Sequence, residues 1–165
     1  MKITDRALAY EQASSQKNRD FWAPFFDGEL EWSTDLRQEY LGVDAICKGK
    51  ALQLKLRETY YPDILIEFAN GDAEKGWINK SNQKCDFLVM GWRPCDQICI
   101  MDWNSLREAW NNNHFNWFTT LGNRAIKMGK NEINGKRQVT LNLAVPFNML
   151  REAGVKLNIR KHVNG

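Results

Sequence analysis

The sequence predicts an α/β fold, a mixed central β-sheet flanked by helices. Three observations predict it: a strictly alternating segment beside a tight turn within 42–58, three further short apolar runs at 63–69, 86–90 and 97–101, and helical spacing of apolar residues on either side of them. A length of 165 residues with 43% apolar positions suits one hydrophobic core. No repeat, low-complexity tract or proline-rich linker divides the chain, which predicts a single domain over 1–165 with its core in 5–111 and a basic extension, 112–165, packed on that core.

Residues 4–19 read as a helix opened by Thr4 or Asp5, with Leu8, Ala9, Gln12 and Ala13 at helical spacing. The aromatic run Phe21-Trp22-Ala23-Pro24-Phe25-Phe26 that follows is expected in the core. A strand near Glu29–Trp32 leads to Asp35 and Gln38, a capping-box spacing for a short helix. Gly42–Cys47 and Ala51–Glu58 are the two strands of a hairpin closed by Lys48-Gly49-Lys50. Because side chains alternate along a strand, Leu52, Leu54 and Leu56 share one face, and Gln53, Lys55 and Arg57 share the other. Asp63–Ala69 is apolar on both faces except for Glu67, which places it inside a sheet beside the hairpin. Two more strands turn at Arg93-Pro94, and Asp102 or Asn104 caps a helix carrying Leu106, Ala109 and Trp110. Phe115, Phe118 and Leu121 continue at helical spacing, so these rings are expected to pack in a core. A late strand, Gln138–Val145, meets Pro146, a short helix and then Gly154.

Composition excludes several chemistries. No apolar run approaches the roughly 20 residues of a membrane-spanning helix, and the first residues lack the apolar stretch of a secretory signal, so the expected location is the cytoplasm. Cys47, Cys85, Cys95 and Cys99 are spaced neither as a disulfide framework nor as a zinc knuckle and are expected as free thiols. Two histidines, no Gly-x-Ser-x-Gly turn and no Walker or Rossmann glycine loop leave carboxylates and lysines to carry any reaction.

Charge is unevenly distributed. From Arg124 onward nine Lys or Arg face only Glu132 and Glu152, which leaves the first 123 residues net acidic. Arg124, Lys127, Lys130, Lys136 and Arg137 flank 131–135, a loop or hairpin tip suited to the phosphates of a nucleic acid. A solvated basic tail would have the same composition.

Asp44 on one strand of the hairpin is followed nine and eleven residues later by Gln53 and Lys55, which face the same way. An acid to hold a hard divalent cation and a lysine to orient its water are what metal-assisted phosphodiester hydrolysis requires. The stretch Gly42-Val43-Asp44 through Gln53-Leu54-Lys55 resembles the PD-(D/E)xK nuclease superfamily, and the order helix, strand, hairpin, strand over residues 5–111 is similar to its restriction-endonuclease-like core. The resemblance implies a metal-dependent DNA nuclease that uses Mg2+ or Mn2+, of restriction, repair, resolvase or phage type, with Asp44, Gln53, Lys55 and Glu67 catalytic. A version that cuts duplex would be a homodimer whose two sites face opposite strands. The superfamily's second acidic position is Gln53 here, and an amide oxygen is the poorer magnesium ligand, so a compensating acid is expected. Glu67, costly to bury between Ile66 and Phe68 unless paired or ligated, is the first choice, with Glu11 and Glu39 the alternatives. Asp44, Glu67 and Gln53 would then hold the metal. Taken singly, each also has a structural use: Asp44 as a turn acceptor, Lys55 and Glu67 as an ion pair, Gln53 as a strand residue. A nuclease-like fold without cleavage, serving as a nucleic-acid-binding or protein-interaction module, is the competing expectation.

Overall fold

A computed structural model describes residues 16–35, 37–38, 41–71, 74–133 and 136–162. The fold is mixed α/β, with few helices, and the chain forms two compact units. Unit 1 comprises 1–60, 82–103 and 157–165, and unit 2 comprises 61–81 and 104–156. The units meet along the chain at 60/61, 81/82, 103/104 and 156/157, none of them at the expected 111/112, and the last strand returns to the sheet of unit 1.

Unit 1 is built on a six-stranded mixed sheet. Its strands, in chain order, are β1 (Glu31–Trp32), β2 (Ala45–Cys47), β3 (Lys50–Arg57), β6 (Phe87–Trp92), β7 (Gln97–Asp102) and β10 (Leu157–Lys161), and they lie side by side in that order. β3 and β6 run parallel, and every other neighbouring pair is antiparallel. The β2–β3 turn is Lys48-Gly49, with φ of 48° and 77°, the doubly left-handed geometry that matches strand twist in a two-residue hairpin. Helix α1 (Gln16–Trp22) carries a Gln16–Asp20 hydrogen bond one turn apart and stops where Pro24 enters a 3-10 turn over Ala23–Phe26. The aromatic run therefore begins on the helix. Residues 1–15, which hold most of the expected first helix and Glu11, lie outside the described residues, as does Glu39.

Leu52, Leu54, Leu56, Phe87, Val89 and Ile100 face α1 and the 3-10 turn, and the packing centres on Phe21, Trp22, Leu52, Val89 and Ile98. Each such aliphatic side chain withdrawn from water contributes roughly 1.5–3 kcal/mol. At Gly91 the sheet comes so close to α1 that a Cβ would sit 2.6 Å from the Phe21 ring and 2.8 Å from Trp22.

Unit 2 has a four-stranded antiparallel sheet in the order β5-β4-β9-β8, where β4 is Asp63–Asn70, β5 Glu74–Lys75, β8 Ile126–Ile133 and β9 Lys136–Pro146. Ile64, Ile66, Leu143 and Val145 are fully buried on one face. A bulge between Glu67 and Ala69 releases Phe68 from the register. Phe68 stacks on Trp110 at 6.2 Å and meets Phe118 edge-on at 5.0 Å. Both partners stand on helix α2 (Trp103–Leu121), whose buried residues Leu106, Trp110 and Trp117 recur at helical spacing. The Trp110 indole N–H donates to Asn79 Oδ1 at 3.0 Å, so its polar edge is satisfied. Phe115 departs from expectation: it is 79% exposed, because Trp117 rather than Phe115 falls on the buried stripe. Pro146 precedes α3 (Phe147–Glu152) as the sequence predicts. No helix among the described residues is long and apolar enough to cross a membrane.

Candidate active site

The site residues of unit 1 are placed by the β2–β3 hairpin. Ala45 lies opposite Leu52, so the preceding Asp44 falls at the level of Gln53, on the face that also presents Lys55 and Arg57. Across the sheet Gln53 and Lys55 stand beside Leu88 and Met90 of β6, both buried. Asp44, Gln53 and Lys55 thus come together from three positions of one hairpin.

Asp44 is tied at both ends of its backbone. Its N–H donates to Leu52 O at 2.8 Å, and its carbonyl accepts Ser33 N–H at 2.9 Å. Its carboxylate Oδ2 accepts the Leu54 N–H at 2.7 Å. The enclosed carboxyl is pushed above its ordinary pKa of 3.8 by burial, against which the Lys55 charge and then the Leu54 N–H pull it down. Gln53 is only 6% exposed, and its Oε1 has no hydrogen-bond partner among the described residues. A buried amide oxygen left so costs about 1–3 kcal/mol, which a cation or a water would recover.

A neighbouring segment closes over the hairpin. Lys84 N–H donates to Leu41 O at 2.7 Å, Asp86 N–H donates to Ala51 O at 2.8 Å, and Asp86 Oδ2 accepts Ala51 N–H at 2.8 Å. Between these ties lie Gln83 and Cys85. Gln83 is 8% exposed, packs its carboxamide against Gly42, whose φ of 73° and lack of a Cβ admit it, and leaves its own Oε1 unpartnered. The Cys85 thiol is pushed up to about 12, chiefly by burial, with the Asp44 and Asp86 carboxylates adding to the rise and Lys55 opposing it. Gln83 and Cys85 escaped the sequence reading. The signal available was the polar run Gln83–Asp86 directly before an apolar strand, where the chain must reach the sheet's end.

Glu67 is placed differently from expectation. Its strand, β4, pairs with β5 and β9 in the second sheet, whereas β3 pairs with β2 and β6, so the expected adjacency of Glu67 and Lys55 on neighbouring strands is not formed. Glu67 lies opposite Asn142, which in turn lies opposite Lys127, and this row is half-buried to exposed. The residue is thus on the polar face of a one-sided strand. Among the described residues no three His, Cys, Asp or Glu side chains form a metal-holding group.

The basic residues are spread along the β8–β9 hairpin of unit 2. Arg124 lies in a 3-10 turn, Lys127 and Lys130 on β8 and Arg137 on β9, all exposed, while Lys136 opens β9. The expected hairpin around 131–135 is present, with 134–135 outside the described residues. No family model, curated protein or solved structure matches this chain.

Proposed function

We propose that the chain is a metal-dependent DNA nuclease with a restriction-endonuclease-like core, of the PD-(D/E)xK type, hydrolysing phosphodiester bonds. The observation that carries this reading is that Asp44, Gln53 and Lys55 share one face of the hairpin, with Gln53 Oε1 buried and unpartnered among the described residues and the Asp44 charge favoured by Lys55. Two oxygen donors on rigid strands suit a hard cation such as Mg2+ or Mn2+, which commonly takes only one or two carboxylates and fills its shell with water and substrate phosphate. Asp44 and Gln53 would hold it; Glu67, expected as a ligand for the cost of burying it in an apolar strand, is half-buried on β4 of the other sheet. A cation held by Asp44 and Gln53 would supply a bound water of lowered pKa and offset negative charge on the phosphate.

The chain's own groups do the remainder. Lys55 orients the attacking water by hydrogen bonding and offsets negative charge on the phosphoryl oxygens. The water oxygen forms the new bond to phosphorus as one P–O ester bond breaks; the attacking water gives up one proton to solvent and the departing alkoxide takes one from solvent. Burial, with the two carboxylates adding to it, keeps Cys85 a thiol.

A second reading has its own support: Asp44 Oδ2 is engaged by Leu54 N–H, which fits a carboxylate kept to close a hairpin in a nucleic-acid-binding module without cleavage. Incubating circular and linear DNA with the protein and Mg2+ or Mn2+, beside Asp44→Ala and Lys55→Ala, separates the two. Cleavage by the wild type alone supports the nuclease; equal nicking by all three overturns the assigned site; salt-sensitive binding without cleavage by any favours the module.

A further inference from the structure

The β8–β9 hairpin outruns its sheet. β4 pairs with β9 from Pro146 back to Thr140, and the Gly71 N–H reaches Val139 O, while β8 and β9 continue to pair with each other as far as Ile133 opposite Lys136. Residues 130–133 and 136–139 thus form a two-stranded ribbon paired, among the described residues, only with itself beyond Val139. At about 3.3 Å per residue its four-residue arm is roughly 13 Å long.

Residues 124–139 contain five Lys or Arg and one Glu. Alternation puts Lys130 and Arg137 on one face, diagonal neighbours across the ribbon, together with Met128, and puts Lys127 and Gln138 on the other. Lys127, Lys130 and Arg137 are exposed, and Met128 is 60% exposed. Two cations on one face of the arm and Lys127 on the opposite face at its base, where β8 is the edge of the four-stranded sheet, suit a partner that presents phosphates on either side of the hairpin. The major groove of B-DNA, about 12 Å wide and 8.5 Å deep, admits a two-stranded ribbon between two phosphate rows. The corresponding groove of an RNA duplex is too narrow, and a single strand offers only one row of phosphates.

We infer that the two-stranded arm of the β8–β9 hairpin, 130–133 paired with 136–139, enters the major groove of double-stranded DNA, with Lys130 and Arg137 on the arm and Lys127 at its base contacting the phosphates of its two walls. The inference takes the DNA partner from the function proposed above and narrows it to duplex, but needs no cleavage.

The test is fluorescence anisotropy in EDTA, with a mixed-sequence DNA duplex, each of its single strands and the matching RNA duplex, over a salt series. The wild type should bind the DNA duplex at least tenfold more tightly than the other probes. The triple variant Lys127→Ala/Lys130→Ala/Arg137→Ala should lose tenfold or more for the duplex, and its log K against log salt slope should flatten by about 2 to 3. The double variant Lys127→Arg/Lys130→Arg should bind as the wild type does. Equal binding of DNA and RNA duplexes, tighter binding of single strands, or an unchanged slope in the triple alanine variant overturns the inference. Duplex binding through the ribbon with no cleavage in Mg2+ or Mn2+ retains it and removes the nuclease. Cleavage lost in Asp44→Ala, with duplex affinity indifferent to the ribbon, does the reverse.

Discussion

Asp44 Oδ2 accepts the backbone N–H of Leu54 at 2.7 Å, so the acid proposed for metal binding also closes the hairpin that carries its partners. One oxygen serves the fold, and the charge serves the chemistry. Substitution separates the two roles. Asp44→Ala leaves the Leu54 N–H without its acceptor and should destabilise unit 1 by about 1–3 kcal/mol; Asp44→Asn keeps an acceptor and should fold at least as stably as the wild type, yet fail to cleave. Urea unfolding and plasmid nicking on the same samples give both readouts.

The pH dependence has a definite sign. Folding raises the Asp44 pKa above 3.8, so between 3.8 and the raised value the folded chain holds a proton that the unfolded chain has lost. Asp44 therefore makes stability fall as pH climbs through that window. Asp44→Asn lacks the effect, so its stability advantage should grow as pH rises above 3.8 and then level off. A constant difference across pH 3.5–8 would contradict the enclosed carboxyl.

Gln53 gives opposite responses to two substitutions. Gln53→Leu removes the unpartnered buried oxygen and should stabilise the metal-free protein by about 1 kcal/mol while abolishing cleavage. Gln53→Glu places a second carboxyl beside Asp44, which should lower the metal-free Tm and give a larger Tm rise on adding Mg2+ than the wild type shows. Thermal melts with and without the cation decide it.

Lys55→Ala should reduce cleavage about 10²- to 10⁴-fold, the usual worth of a positioned proton-handling group. It also removes the charge that most strongly lowers the Asp44 pKa, so the carboxyl should titrate at higher pH than in the wild type. Carbon NMR of the Asp44 carboxyl tracks that shift independently of activity.

Gly91→Ala should cost about 1–3 kcal/mol, the usual penalty of overpacking, because its methyl would overlap Phe21 and Trp22. Adding Phe21→Leu should return part of the loss. Chemical denaturation of the single and double variants tests the coupling.

The hairpin was legible in the sequence because alternation and turn chemistry are local: Leu52, Leu54 and Leu56 reached one core, and Lys48-Gly49 formed the turn. The fate of β4 was not. Two strands of similar apolar pattern do not reveal which sheet each joins, and only the long-range pairing of Ile64 with Val145 and Ile66 with Leu143 takes Glu67 away from β3. β8 and β10 also went unread. Both are edge strands in which basic residues interrupt the apolar ones, as in Lys127-Met128-Gly129-Lys130 and Leu157-Asn158-Ile159-Arg160, so the pattern resembles a solvated tail. The neighbours Gln83 and Cys85 reach the site through backbone ties to Leu41 and Ala51, contacts that no side-chain spacing encodes.

The chain leaves unit 1 after Tyr60, returns at Asn82, leaves again after Trp103 and returns at Leu157 to lay β10 against β7. During synthesis, then, the larger sheet must wait with its β7 edge uncovered until the whole of unit 2 has been made. Neither unit is a contiguous piece that one cut would release. A nick in the β8–β9 hairpin would leave two fragments that each carry strands of both sheets.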